Sequence, residues 1–447
     1  MNMEFPKDFR WGAATAAYQI EGAATEAGRG PSIWDTFSRT PGKVFAGHTG
    51  DVACDHYHRY PEDVAIMREL GIGTYRFSVA WPRVKPDGTG PVNPRGLDFY
   101  DRLTNELLAN GIEPMLTLYH WDLPQGLEDR GGWTSRDTSY YFAEYALAVH
   151  KRLGDRIKLW TTLNEPWCSA FLGYAAGVFA PGHTDVQEGL SAAHHLLLGH
   201  GLATAELRHA GAETIGITLN LAPVVPADPQ DPAELDAADR VDAMLNRLFL
   251  EPVIKGAYEP YAKQMFSDGV VLDGDEAIIG QPIDMLGVNY YNPNLVTARP
   301  GAPENPVYPG SHGVDFRPAP GKTTAMGWPI EPWGLTELLE RLHRDYPGLP
   351  LIITENGAAF DDVHSDGNVA DSDRISYLEE HLRACHEAIS RGVDLRGYLV
   401  WSLLDNFEWA EGYRKRFGIV HVDFDTQART PKDSARWYAK VIERNGL

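Results

Sequence analysis

Glu165, in "TTLNEPW", and Glu355, in "LIITENG", each close a run of β-branched and aliphatic residues. A carboxyl group at the end of a buried strand is costly unless something pairs with it. Two of them in parallel settings, with tryptophan and asparagine nearby and no His or Cys cluster at metal-ligand spacing, fit the hydrolysis of a glycosidic bond. That reaction needs one carboxyl group protonated, to donate to the leaving oxygen. It needs the other ionised, as nucleophile or as base for water. Two competing readings stay open at this level. Each glutamate could pair with a basic residue inside the core. A hard cation could also bridge them, although it would want more converging oxygens.

Positioning such a pair requires a scaffold, and the sequence repeats one unit. Apolar runs end near Ala14 ("FRWGAATA"), Arg76 ("IGTYRF"), His120 ("EPMLTLYH"), Glu165 ("KLWTTLNE"), Asn220 ("TIGITLN"), Asn289 ("IDMLGVN"), Glu355 ("PLIITE") and Trp401 ("RGYLVW"). Helical patterns lie between them. "RGLDFYDRLTNELLANG" puts Leu97, Tyr100, Leu103, Leu107 and Leu108 on one stripe and stops at Gly111. "PEDVAIMRELG" starts at Pro61 and stops at Gly71, and "SYYFAEYALAVHKRLG" behaves alike. Apolar strands, each followed by a helix, imply a parallel sheet covered by helices. Eight such units favour a closed (β/α)8 TIM barrel, an α/β fold, as a single domain over 1–447 with elaborated βα loops. An open doubly wound sheet is the alternative, weakened because no G-x-G-x-x-G follows the first strand. In a barrel the strand ends share one face, where functional groups collect. That face would hold Arg76, His120, Asn164, Glu165, Asn289, Glu355 and Trp401. The Pro- and Gly-rich stretch 296–332 follows the sixth strand and is expected to be a long rim loop with a mobile tip.

Composition narrows the partners. A formal charge of −22 opposes binding to nucleic acid or anionic membranes and is indifferent to a neutral molecule. The three cysteines, Cys54, Cys168 and Cys385, are too few and too scattered for a disulfide or zinc framework, which suits a reducing compartment. "MNMEFPKDFRWG" lacks a basic-then-apolar leader, so a cytoplasmic location is expected. The uncharged stretch "PWCSAFLGYAAGVFAPGHT" is broken by glycine and proline and is expected to be a buried loop and helix start. No metal or cofactor is expected.

"FRWGAATAAYQIEG", "YRFSVAWPRV", "TLYHWDLP", "TLNEPW", "GVNYY", "ITENG", "WSLLDNFEW" and "RFGIVHVDF", in that order, resemble glycoside hydrolase family 1, the retaining β-glucosidases and their relatives. The resemblance spans nearly the whole chain. It implies that Glu165 is the general acid/base and Glu355 the nucleophile, with carboxyl groups about 5–5.5 Å apart. Arg76 and Tyr291, with Asn289 beside them, would keep Glu355 ionised, and its charge would raise the pKa of Glu165. Asn164 resembles the residue that bonds the sugar 2-hydroxyl. Gln19, His120 and Glu408 resemble hydroxyl readers, Trp401 a stacking platform, and Trp409 a further wall and donor. Trp121 and Phe417 complete that set. Trp167 and Trp328 fall on the leaving-group side, as does Cys168, which reads more readily as a buried apolar filler. The acidic Glu408 implies an unphosphorylated sugar. The implied activity is exo-hydrolysis of terminal β-glucosyl residues from small neutral β-glucosides and cello-oligosaccharides, extending to β-fucosides and β-galactosides. Alternatives are an enzyme specialised for transglycosylation or an unusual aglycone, and a non-catalytic glycan-binding protein.

Overall fold

The computed structural model describes residues 3–318 and 320–447. Residues 1 and 2, part of the stretch read for a leader, and residue 319, in the long segment after the sixth strand, lie outside the described residues. Eight parallel strands close into a barrel. We number them β1 (Arg10–Ala14), β2 (Thr74–Ser78), β3 (Glu113–Tyr119), β4 (Leu159–Asn164), β5 (Thr214–Asn220), β6 (Met285–Asn289), β7 (Leu351–Asn356) and β8 (Leu395–Trp401). Each ends within two residues of its expected stop. β1 closes the ring, setting Ala14 beside both Trp401 and Arg76. This is the expected (β/α)8 barrel, and the open sheet is excluded.

The strands are apolar on both faces because helices cover one side and the barrel interior the other. The upper interior is polar, however. The Thr117 and Thr161 hydroxyls lie 2.8 Å apart, and Thr354 donates to Asn289 Oδ1 at 2.7 Å. Gly287 on β6 leaves room for this layer, since a β-carbon there would sit 2.4 Å from the Thr218 hydroxyl.

Two helix expectations need correction. The helix Pro94–Ala109 buries Leu97, Tyr100, Leu103 and Leu107, but Leu108 is 41% exposed. One residue advances the helix about 100°, which carries Leu108 off the stripe. The next helix read from sequence runs His56–Glu69, so Pro61 lies inside it rather than at its start. A buried His56–Asp63 pair at 2.7 Å, itself held by Arg429, spans those first turns and offsets the hydrogen bond that proline cannot make.

The 296–332 stretch is also not one loop. Asn294–Ala298 pairs with Val224–Pro226 and with Val314–Phe316 in a separate three-stranded sheet. Ala237, Ala238, Val241, Val296 and Val314 form its small core. Strands this short, interrupted by proline and glycine, show no readable periodicity. The uncharged stretch after β4 contains the buried helix Cys168–Ala175, wound as a π-helix. Among the described residues, no helix is long and apolar enough to cross a membrane.

Candidate active site

A cavity of about 500 Å³ opens at the C-terminal ends of the strands. Glu165, Glu355, Glu408, His120, Asn289 and Tyr291 line it, together with Trp121, Trp167, Trp328, Trp401, Trp409 and Phe417. Gln19, Arg76 and Asn164 are fully buried behind the lining. β4 and β7 are separated by β5 and β6, so the two glutamates stand three strands apart.

The two carboxyl groups have unlike surroundings. Glu355 Oε1 accepts from Arg76 Nη1 at 2.7 Å, and Oε2 accepts from the Tyr291 hydroxyl at 2.8 Å. Arg76 is fixed in turn, donating to Asn164 Oδ1 at 2.6 Å and to the Thr117 hydroxyl at 3.0 Å. Burial raises the pKa of Glu355, while the Arg76 guanidinium and the hydrogen bonds from Arg76, Tyr291 and Asn289 pull it back. Glu165 has no such cation. Its Oε1 accepts from Asn289 Nδ2 at 2.6 Å, and its Oε2 accepts from Cys168 Sγ at 3.1 Å. Burial, then the charge of Glu355, push Glu165 up to about 8. Both carboxyl groups are pushed toward the acid form by burial, but a guanidinium and its hydrogen bonds oppose that push at Glu355, whereas the charge of Glu355 adds to it at Glu165. Cys168 is not an apolar filler, because its thiol touches the Glu165 carboxyl group.

Three large residues of the site hold left-handed backbone. Trp121, Glu165 and Trp409 have φ of +75°, +46° and +49°. Left-handed backbone in such residues costs on the order of 1–3 kcal/mol each. At Glu165 the surroundings hold it: Glu165 N donates to Thr218 O at 2.9 Å, and Cys168 N to Glu165 O at 3.0 Å. Trp121 Nε1 donates to Asn164 O at 2.8 Å, tying two of these turns together. The chain leaves β4 sharply at Glu165, and Pro166 offers no N–H to prolong the ladder.

The inner side of the cavity is built from pre-set polar atoms. Asn164 Nδ2 lies 3.1 Å from His120 Nε2, which makes that nitrogen the acceptor and leaves the proton on Nδ1. Among the described residues, Nδ1 has no partner. Burial, then Arg76, hold His120 well below the usual range, so the ring is neutral. Gln19 Nε2 donates to Phe407 O at 2.9 Å and reaches Glu408 Oε2 at 3.4 Å, while its Oε1 has no partner among the described residues. His120 stacks against both Trp401 and Trp409 at 5.9 Å. Glu408 was expected to be a carboxylate. Burial, then Glu355, push it up to about 8, so at neutral pH it is an acid that can donate as well as accept. Among the described residues lining the cavity there is no lysine or arginine to receive a phosphate.

Toward the mouth, Trp328 packs on Tyr291 at 5.2 Å and on Phe417 at 6.0 Å, and Trp167 on Tyr308 at 5.4 Å. Sequence reasoning missed Tyr308, Phe179, Leu172 and Asn294, which also line the cavity. Asn220 lines it too. Its place at a strand end was the available signal, but it had been given no role.

The model for glycosyl hydrolase family 1 matches residues 1–447. Thermostable beta-glucosidase B of Thermobispora bispora is 58% identical, over 100% of this chain and 92% of that protein. A bifunctional beta-D-glucosidase/beta-D-fucosidase of Bifidobacterium breve is 50% identical, over 99% of each. The crystal structure of a psychrophilic beta-glucosidase from Micrococcus antarcticus superposes with a TM-score of 0.96 at 54% identity, over 99% of this chain and 98% of that one.

Proposed function

The chain belongs to glycosyl hydrolase family 1, and from that premise we propose how it works as a retaining exo-β-glucosidase. Glu355 attacks the anomeric carbon while Glu165 gives its proton to the departing oxygen, and a glucosyl ester forms on Glu355. The ester carries no charge, so the share of the Glu165 shift that Glu355 imposed disappears. Glu165 then takes a proton from water, which attacks the same carbon and frees the sugar with its original configuration. The observation that carries this reading is the unequal donor set: a guanidinium and a phenol on Glu355, an amide and a thiol on Glu165. His120, Gln19, Glu408 and Trp401 read the sugar, with Asn164 at its 2-hydroxyl, while Trp167 and Trp328 flank the leaving group. The glucosidase/fucosidase relative supports β-fucosides as second substrates, and the same pocket is proposed to admit β-galactosides and cello-oligosaccharides, a role in cellulose breakdown. One catalytic domain over 1–447 and a cytoplasmic location complete the proposal. The location is supported by three buried free cysteines.

The test is kcat/KM for aryl β-glucoside, β-galactoside, β-fucoside and cellobiose, with the first-formed anomer followed by NMR. Turnover of the glucoside with β-glucose appearing first is expected. No glucoside turnover, or α-glucose first, would overturn the reading. The pH profile of kcat/KM is expected to be bell-shaped. The acid limb reports ionisation of Glu355, above the usual carboxylate range because its pKa is raised. The alkaline limb lies near pH 8, where Glu165 loses the proton it must donate. Glu408 titrates in the same region, and Glu408→Gln is expected to leave the Glu165 limb in place.

A further inference from the structure

We propose that Cys168 tunes the acid/base group: its thiol gives the Glu165 carboxyl a weak partner in both protonation states, so one glutamate can donate a proton and then accept one. This rests on the reading of Glu165 as the acid/base. Cys168 sits in the first turn after the strained residue, its N donating to Glu165 O at 3.0 Å and its Sγ lying 3.1 Å from Oε2. The other oxygen, Oε1, already accepts from Asn289 Nδ2 at 2.6 Å. Thr354 fixes that amide by donating to Asn289 Oδ1, so the N–H side is the one facing Glu165. A proton on Oε1 would compete with the amide, so the transferable proton rides on Oε2, beside the sulfur. Among the described residues, no other side chain donates to Oε2.

A thiol is a weak donor and a weak acceptor. It donates S–H to the carboxylate and accepts O–H from the acid, favouring neither form strongly. A serine hydroxyl is a better donor to the anion, and an alanine offers nothing. The thiol itself stays protonated, since burial and then the Glu165 charge hold it well above its usual range. The other charged and titratable groups coupled to Glu165 are Glu355 on β7, Arg76 on β2, Tyr291 after β6 and Glu408 after β8, and neutral His120 after β3 lines the same cavity. None of these makes a hydrogen bond to Cys168; among the described residues its one side-chain hydrogen bond is to Glu165.

The experiment measures kcat/KM against pH for cellobiose with Cys168→Ala and Cys168→Ser. The alkaline limb is expected to rise by about half a pH unit in Cys168→Ala and to fall by a similar amount in Cys168→Ser, about threefold each way in the acidity constant. At pH 7, the loss of kcat/KM for 2,4-dinitrophenyl β-glucoside, whose leaving group needs little protonation, is expected to be smaller than the loss for cellobiose. Limbs that do not move, that move in the same direction, or equal losses on both substrates would overturn the proposal and leave Cys168 a packing residue. If Cys168→Ala fails to fold, the near-isosteric Cys168→Ser carries the test alone. Glu165→Ala in parallel separates the two readings. If that variant kept the alkaline limb, the assignment of Glu165 would fail, whatever Cys168 does.

Discussion

Glu355→Ala is expected to lower kcat on aryl β-glucosides by roughly 10⁴- to 10⁶-fold, because a nucleophile acting in concert with its partners leaves little behind when it is removed. The substitution also strips Arg76 of its carboxylate, 2.7 Å away and fully buried. An unpaired buried charge costs about 3–5 kcal/mol, so the alanine variant should also melt earlier. Glu355→Gln keeps an oxygen for the guanidinium and restores most of the melting temperature, yet remains inactive, since an amide cannot form the ester. The same geometry implies a chemical rescue. A small anion such as azide, drawn beside Arg76 in the space vacated by the side chain, should attack the anomeric carbon once and yield α-glucosyl azide. Wild-type turnover by either variant would remove Glu355 from the mechanism.

Glu165→Ala is expected to behave differently, with a loss graded by the leaving group. Cellobiose, whose leaving alcohol needs a proton, should fall about 10²- to 10⁴-fold in kcat/KM. 2,4-Dinitrophenyl β-glucoside should still react in the first step and then accumulate as the glucosyl enzyme, because the base for water is gone. Azide needs no base, so it should release that intermediate as β-glucosyl azide. The two variants thus give azides of opposite configuration, an outcome that no shared structural damage could produce. The alkaline limb near pH 8 should vanish with the group that causes it. A uniform loss across leaving groups would count against Glu165 as the proton carrier.

Much of the scaffold was legible because barrel strands stop where their buried, apolar character stops. Asn164, Asn289 and Trp401 stand at those breaks, and Arg76, His120, Glu165 and Glu355 within two residues of one. The strand-end residues were visible one at a time, and the barrel then brought them together. What stayed hidden depends on contacts between distant residues. No local pattern says that Thr354 orients Asn289, or that Thr117 steadies Arg76. Cys168 was ambiguous because its partner lies only three residues away, yet the contact exists only if the backbone turns left-handed at Glu165. Pro61 was misread as a start signal because the pair that stabilises the turn before it, His56 with Asp63, is anchored by Arg429 from the far end of the chain. Glu408 reads as an acidic residue in the sequence, which shows neither its burial nor the charge of Glu355 standing next to it.

The small sheet beside the barrel has a consequence for how such a molecule can diversify. Tyr308 faces the leaving-group side and stacks on Phe316 at 4.6 Å. Asn294 opens a strand of the same sheet. None of its three strands hydrogen-bonds to the barrel, and its buried core residues form a small cluster of their own, joined to the main core through Val224 and Tyr308. Part of the pocket wall that we propose meets the variable half of a substrate is therefore carried by a patch with its own small foundation. The part that performs bond cleavage is locked into the eight strands. Descendants of this chain could exchange the patch for another and acquire a new clientele of aglycones while inheriting the chemistry intact.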